Sequence, residues 1–249
     1  MNVLIVGANG YLGPHVVAAL APRHRLRITD IRPAPAALRA ALAGHEFRDV
    51  DVTVPEQVMD AARGMDAIIN LSVVRTHPVQ AFRVNMLGCW HIMRAAVAHK
   101  IRRVIQTGPH FTVAGPSYEG FDHAIGPDVP PHPGINLYAL TKSLGHEICR
   151  QMAQAHGIHV QEYLFYSFRG REELKRGSGG VPFTVSWADA GEVFRLGLEI
   201  DLARLPSHFE VFFILADNPQ GKFSNEKAKR ILGFSPTEDV NILWRKARI

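Results

Sequence analysis

Tyr138 and Lys142 stand four residues apart in the run Tyr-Ala-Leu-Thr-Lys. On a helix this spacing projects both side chains from one face. An ammonium beside a phenol favours the phenolate and draws the phenol's pKa toward neutrality. Tyr138 is therefore expected to act as acid/base at a carbinol or ketone. Lys142 can also hold the ribose of a nicotinamide cofactor. The remaining part of such a site is a donor facing the reacting oxygen, and the preceding loop reads Thr107-Gly108-Pro109-His110. Thr107 and Thr112 carry hydroxyls nearby, and His110 can donate, accept or polarise a carbonyl. Each has a plainer alternative, Thr107 as the end of a strand and His110 as a loop residue. The catalytic set expected from the sequence is Tyr138, Lys142, His110 and Thr107.

A second constellation lies at the N-terminus, in Val-Leu-Ile-Val-Gly-Ala-Asn-Gly-Tyr-Leu-Gly-Pro. Gly7, Gly10 and Gly13 fall between an apolar strand and a helix. One glycine suits a tight turn, one suits backbone approach to a pyrophosphate, and one suits close helix–strand packing. The helix start then offers unpaired N–H groups and a positive dipole end to phosphate. Asn9, Tyr11 and Leu12 complete that turn. The next strand ends at Asp30, followed by Ile31 and Arg32. An acid there accepts both adenosine ribose hydroxyls and repels a 2′-phosphate, which favours NAD over NADP. Arg32 pulls the other way, because a guanidinium could embrace that phosphate. Asp51-Val52 follows the third strand, where Asp51 either meets the adenine or caps the helix before Pro55.

These groups need a scaffold, and the hydrophobic pattern supplies one. Short β-rich apolar runs alternate with longer helical stretches, as in βαβ units around a parallel sheet. Strands are expected at Asn2–Val6, Arg25–Thr29, Glu46–Arg48, Ala67–Asn70, Arg103–Thr107, His159–Phe165 and Val211–Ala216. Helices are expected at Leu12–Ala21, Val54–Ala62, Gln80–Ala98, Tyr138–His156, Trp187–Glu199 and Asn225–Leu232. Leu140, Leu144, Ile148 and Met152 form an apolar stripe for the sheet or a partner subunit. After Ser167 the rhythm changes into a charged, glycine-rich loop, Arg169 to Gly180. The expected organisation is α/β: a doubly wound parallel Rossmann sheet over 1–166, with a small, reduced C-terminal substrate region, 167–249, packed on it.

Composition agrees with an ordinary globular chain of 249 residues, 47% hydrophobic and 20% charged. The formal net charge of +5 is dispersed along the sequence, so no nucleic-acid partner is expected. No apolar run is long enough to span a membrane, and residues 1–7 read as a core strand rather than a signal peptide. Cys89 and Cys149 both fall in apolar helical patterns and are expected to be reduced, as in the cytoplasm.

The chain resembles the extended short-chain dehydrogenase/reductase family, of NAD-dependent epimerase/dehydratase type. The resemblance is carried together by Gly-Ala-Asn-Gly-Tyr-Leu-Gly at 7–13, Ile-Thr-Asp ending at Asp30, Asp51-Val52-Thr53, Asn70-Leu71-Ser72, Val84 to Trp90, Tyr138 to Lys142, Ser186 to Phe194 and Lys229 to Pro236. It implies a Rossmann core, a catalytic Tyr138–Lys142 pair, and a cofactor set that adds Asn70, Leu71, Ser72 and Asn85. Asn85 would mainly support the active-site loop. The family's serine or threonine after the fifth strand falls on Pro109 or His110 here, and His110 is the expected substitute. The likeness runs furthest toward uronate dehydrogenases, NAD enzymes that oxidise free uronic acids at C1 to lactones. Where two serines are expected, this loop has Thr107-Gly108, and no arginine matches their substrate clamp cleanly. Arg75, Arg169, Arg171 and Arg176 are candidates for a carboxylate or phosphate. The expected substrate contacts are Arg75, Thr107, His110, Ser167 and Arg169.

The sequence therefore points to an NAD-dependent oxidoreductase acting on a small, sugar-like, anionic substrate, with no metal, as a homodimer through its two long helices. The same machinery serves an epimerase or dehydratase that retains NAD. A non-catalytic NAD-binding regulator is a third reading, against which the intact Tyr138–Lys142 pair argues.

Overall fold

The computed structural model describes residues 1–113 and 122–246. Seven parallel strands form the main sheet: β1 (Asn2–Val6), β2 (Arg25–Asp30), β3 (Glu46–Asp49), β4 (Ala67–Asn70), β5 (Arg103–Pro109), β6 (His159–Phe165) and β9 (Phe209–Phe213). Their order is β3-β2-β1-β4-β5-β6-β9, with every pairing parallel. Parallel pairing requires crossovers, and the helices that make them cover both faces. Alternate side chains supply the two layers. Val3, Ile5, Ala67, Ile69 and Ile105 join one core with helices α1 (Gly13–Leu20), α7 (Trp187–Glu199) and α8 (Glu226–Leu232). Leu4, Val6, Ile68 and Val104 join the other with α3 (Pro55–Ala62), α5 (Gly88–Ala98) and α6 (Leu137–His156). The strand order reverses between β1 and β4, where a parallel sheet opens a crevice at its carboxyl edge.

Several boundaries differ from expectation. A short helix, α2 (Ala36–Ala41), precedes β3, and a small parallel pair, β7 (Ser167–Arg169) with β8 (Thr184–Ser186), follows β6. β9 covers Phe209–Phe213 rather than Val211–Ala216, because its register is set by pairing Val160 with Phe209 through Leu164 with Phe213. The C-terminal region thus contributes the seventh strand of the main sheet. The helix expected at Gln80–Ala98 is α4 (Pro78–Ala81), a π-helical turn over Phe82–Leu87, and then α5. On α6 the expected Leu140-Leu144-Ile148-Met152 stripe is divided: Met152 is buried, Ile148 packs on the core and Leu144 stays exposed. Most of the rest of the buried face is small or polar: Ala139, Thr141, Lys142, Gly145, His146 and Cys149. Gly145 is needed there, since a Cβ would come within 2.8 Å of the Cys89 sulfur.

Among the described residues no helix is long and apolar enough to cross a membrane, and no cluster of three or more His, Cys, Asp or Glu could hold a metal ion. Cys89 and Cys149 are free and buried.

Candidate active site

The glycine turn after β1 has the shape a dinucleotide needs. Gly7 sits at φ +81°, and a Cβ there would come 2.7 Å from the Ser72 backbone nitrogen. At Gly13 a Cβ would strike the Ala8 backbone, 2.5 Å from its carbonyl carbon, so only glycine lets α1 approach the strand this closely. Gly10 is different: an added Cβ would meet only the Gly7 oxygen, at 3.4 Å, so its outer face is open. α1 starts without a side-chain cap: its Gly13 and His15 N–H groups donate to the Gly10 and Leu12 carbonyls at 3.2 Å, and Pro14 carries none, so the helix end offers an anion chiefly its dipole. Beside it, Asp30 accepts from the Asn9 and Arg32 backbone N–H groups at 2.9 and 3.1 Å. The Arg32 guanidinium lies 3.6 Å from the same carboxylate and donates to the Asn9 carbonyl. Arg32 is thus tied to the acid, while Tyr11 and Ile31 stand exposed at the rim. These residues fit an adenosine diphosphate moiety. Asp51 accepts from the Thr53 N–H in a local turn, and Val52 is buried against Gly88.

Lys142 is buried beneath this crevice. Its ammonium donates to the carbonyls of Ser72 at 3.0 Å and Thr107 at 2.9 Å, bridging the ends of β4 and β5. Burial lowers its pKa, opposed by the nearby Cys89 and Glu162. Below it, Asn70 donates to Gln106 at 2.9 Å and accepts from the Ser72 N–H and hydroxyl, while Gln106 donates to the Cys89 sulfur. Leu71 is buried and donates its N–H to the Val6 carbonyl at 2.8 Å.

Tyr138 stands in the first turn of α6, whose start is fixed by Asn136 accepting from the Tyr138 and Ala139 N–H groups. The expected depression of its pKa by Lys142 is not found. Burial raises the phenol's pKa, and the cation that opposes this is Arg75. The Arg75 guanidinium lies over the Tyr138 ring, 5.2 Å from its centre. The physical reason is that Lys142's charge is directed into the two loop carbonyls. The backbone just before Arg75 is fixed by an inward-turned asparagine. Asn85, on the π-helical turn, accepts from the Val74 N–H at 3.0 Å and donates to the Val74 carbonyl at 2.6 Å and to the Thr141 hydroxyl at 2.9 Å. The extra residue of a π turn is a recurrent way to re-aim such a side chain.

The Thr107–His110 stretch departs from the simple expectation. Thr107 donates its hydroxyl proton to the Asn70 carbonyl, and Thr112 donates to the Pro109 carbonyl, so both protons are committed to backbone. His110 is only 4% exposed and packs within 5.3 Å of the Phe111, Tyr166, Phe183 and Phe223 rings. Burial, helped by Lys222, brings its pKa down to about 4, so it is a neutral imidazole near pH 7. Its Nδ1 is buried without a hydrogen-bond partner. Phe111 in turn meets Tyr138 edge-on at 5.8 Å and Tyr166 at 6.0 Å. Ser167 donates its N–H to the Phe183 carbonyl. Arg169 pairs with Glu173 and Arg171 with Glu238, each at 3.9 Å, along a cavity of about 250 Å³ that His15 and Trp187 also line.

Phe111 and Tyr166 were not legible as site residues, although an aromatic after each of two neighbouring strands was a usable signal. His146 and Glu162 were also missed. They meet in a buried contact between α6 and β6, His146 Nδ1 against Glu162 Oε1, and His146 is one helical turn beyond Lys142. A glutamate inside the apolar run of β6 was the hint.

A Rossmann sheet with an open glycine turn at its switch point and a Tyr–Lys helix beside it defines a dinucleotide-binding protein of oxidoreductase type. The model of the NAD dependent epimerase/dehydratase family matches residues 3–179, and the chain belongs to that family. It is 29% identical to a uronate dehydrogenase of Pseudomonas syringae, over 98% of this chain and 85% of that one. It is 23% identical to an NAD-dependent glucose-6-phosphate dehydrogenase of Haloferax volcanii, over 95% and 93%. The solved glucuronic acid dehydrogenase of Chromohalobacter salexigens shares the fold, with a TM-score of 0.79 at 20% identity over 97% of this chain and 86% of that one.

Proposed function

We propose that this chain is an NAD-dependent oxidoreductase that oxidises a small sugar or uronic-acid-like substrate at a carbinol carbon. The observation that carries the reading is the placement of Tyr138 on one helical face with Lys142, next to a glycine turn whose outer side is open at Gly10. NAD, when bound, supplies the hydride acceptor. Tyr138 takes the proton from the substrate hydroxyl, and Arg75 beside the ring favours the phenolate that this requires. Lys142 holds the loops after β4 and β5 together through Ser72 and Thr107. The neutral His110 carries Phe111 against Tyr138 and, through its unpartnered Nδ1, is a candidate hydrogen-bonding partner of the substrate. Gly7, Asn9, Gly10, Tyr11, Leu12, Gly13, Asp30 and Ile31 take the adenosine and pyrophosphate, with Ser167 and Arg169 at the substrate side.

The chain acts as a cytoplasmic homodimer in this reading. Two buried free thiols suit a reducing compartment. The exposed Val79, Phe82, Leu87 and Trp90 on the α4–α5 run, with Leu144 on α6, give an apolar face for a second copy.

The test is NADH absorbance on mixing the protein with NAD and a panel of free uronic acids, aldoses and sugar phosphates. A steady rise with one class, abolished in Tyr138→Phe while NAD binding persists, is the expected result. A flat trace with NAD released only on denaturation would favour an epimerase or dehydratase that keeps its cofactor. A flat trace with no NAD bound would refute the enzymatic reading.

A further inference from the structure

The arginine candidates differ in what they already hold. Arg169 and Arg171 face Glu173 and Glu238, and Arg32 faces Asp30. Arg75 has the Tyr138 phenol as its partner and, among the described residues, no carboxylate. It is exposed, yet its backbone is not loose, because Asn85 clasps both backbone polar groups of the adjacent Val74 and ties them to Thr141 of α6. A guanidinium presented next to the reacting phenol on a braced loop, with its outward N–H fork free of carboxylates, matches a planar anion. Phe111 stands edge-on to both Tyr138 and the half-exposed Tyr166, giving an aromatic wall for the C–H face of a sugar ring.

We propose that Arg75 is the residue that selects the substrate: it grips a carboxylate or phosphate carried by the sugar, whose ring lies against Phe111 and Tyr166 beside Tyr138. This rests on the oxidoreductase reading for its turnover readout and deepens it, since it assigns the anion to the loop after β4 and not to the Arg169–Arg171 segment. Recognition is by charge-assisted hydrogen bonds from the guanidinium, so lysine retains part of it and methionine none.

The experiment compares wild type with Arg75→Met and Arg75→Lys on three sugars that share one ring: glucose, glucuronate and glucose 6-phosphate. The readout is the ratio of kcat/KM for each anionic sugar to that for glucose, measured from pH 7 to pH 10. Any general effect of Arg75 on the Tyr138 phenol divides out of this ratio. Wild type is expected to favour one anionic sugar, and whichever it is separates carboxylate from phosphate recognition. Arg75→Met is expected to lower that ratio about 10- to 100-fold, the range for a charged hydrogen bond, with Arg75→Lys between the two. An Arg169→Met variant, at the substrate side but already facing Glu173, is expected to lower kcat/KM on all three sugars alike, so that the ratio moves by no more than about threefold. Equal losses on glucose and the anionic sugar, or a collapse of the ratio in Arg169→Met alone, would overturn the assignment. Binding of glucuronate, glucose 6-phosphate and glucose by calorimetry, with NAD present, provides the second arm. If wild type makes no NADH, the oxidoreductase reading fails, while anion binding that Arg75→Met abolishes still supports the role of Arg75. No anion binding in wild type, or binding that Arg75→Met retains, refutes it.

Discussion

The three glycines after β1 should separate by phenotype, because a methyl group meets different surroundings at each. In Gly13→Ala the new Cβ would lie 2.5 Å from the Ala8 carbonyl carbon and 2.8 Å from its Cα. Both are backbone atoms, so no side-chain rotation relieves the overlap, and α1 must move off β1. Overpacking of this kind costs about 1–3 kcal/mol, and a backbone clash belongs at the upper end. At about 2–4 °C per kcal/mol for a chain of this size, Gly13→Ala should melt about 6–12 °C below wild type. In Gly10→Ala the nearest atom is the Gly7 oxygen at 3.4 Å, an ordinary contact, and the φ of Gly10 lies outside the left-handed region. Its melting temperature should therefore stay within about 2 °C of wild type. The two variants also differ toward NAD. At about 100 times Kd, NAD stabilises wild type by about 2.7 kcal/mol, a rise of about 5–11 °C. Gly10→Ala should lose that rise, since its methyl projects into the face left open for pyrophosphate. Differential scanning fluorimetry with and without NAD measures both quantities. A Gly13→Ala protein as stable as wild type, or a Gly10→Ala protein with the full NAD-dependent rise, would refute the division of labour.

Two further variants probe the interior. His110 has its pKa lowered from 6.5 to about 4 by burial, so the unfolded chain binds more protons between those values. The associated stability is complete above pH 6.5 and falls as pH drops toward 4, by about 3 kcal/mol at most. Urea unfolding at pH 7.5 and pH 4.5 should show a smaller loss for His110→Gln than for wild type, and an identical loss would contradict the neutral imidazole. Asn85→Ala leaves both Val74 backbone groups and the Thr141 hydroxyl without their asparagine partner. At about 1–3 kcal/mol per buried unsatisfied group the variant should be destabilised by about 3 kcal/mol or more, read as a calorimetric melt. A melt unchanged from wild type would remove Asn85 from its bracing role.

The centre of the main sheet was legible because β1 and β4 are buried on both faces and read as nearly continuous apolar runs. Val3 to Val6 and Ala67 to Asn70 are such runs, and glycine and charged residues punctuate them. What escaped depends on tertiary contacts. Nothing in Phe82 to Leu87 announces a π turn; it becomes visible once Asn85 must reach Val74 and Gly88 must clear Val52. β7 and β8 are only three residues each, below the length at which alternation is informative. The β9 boundary follows from its register against β6, which local pattern does not contain. At the site, residue types and spacing correctly placed Tyr138 and Lys142 on one face of a helix. Which cation faces the phenol could not be read from that spacing, because Arg75 arrives from a loop 63 residues away in sequence.

The loop that departs from the expected serines has a physical cause in α6. His146 lies one turn beyond Lys142, and its ring fills the space above Gly108: a Cβ there would come 2.8 Å from the His146 Nε2 and 3.1 Å from Leu164. Serine at 108 is therefore excluded while His146 holds this rotamer, and the rotamer is set by the buried pairing of its Nδ1 with Glu162. Glu162 also favours the charged form of Lys142. Gly108, His146 and Glu162 are thereby coupled across β5, α6 and β6. Lys142 depends on the same arrangement, since Thr107, whose carbonyl accepts from its ammonium, directly precedes Gly108. With the lysine occupied by two loop carbonyls and position 108 closed to serine, polar contact with the substrate is left to His110 and to groups outside the loop. Arg75 is the cation that lies over the Tyr138 ring and acts on its phenol, which is why substrate selection is assigned there.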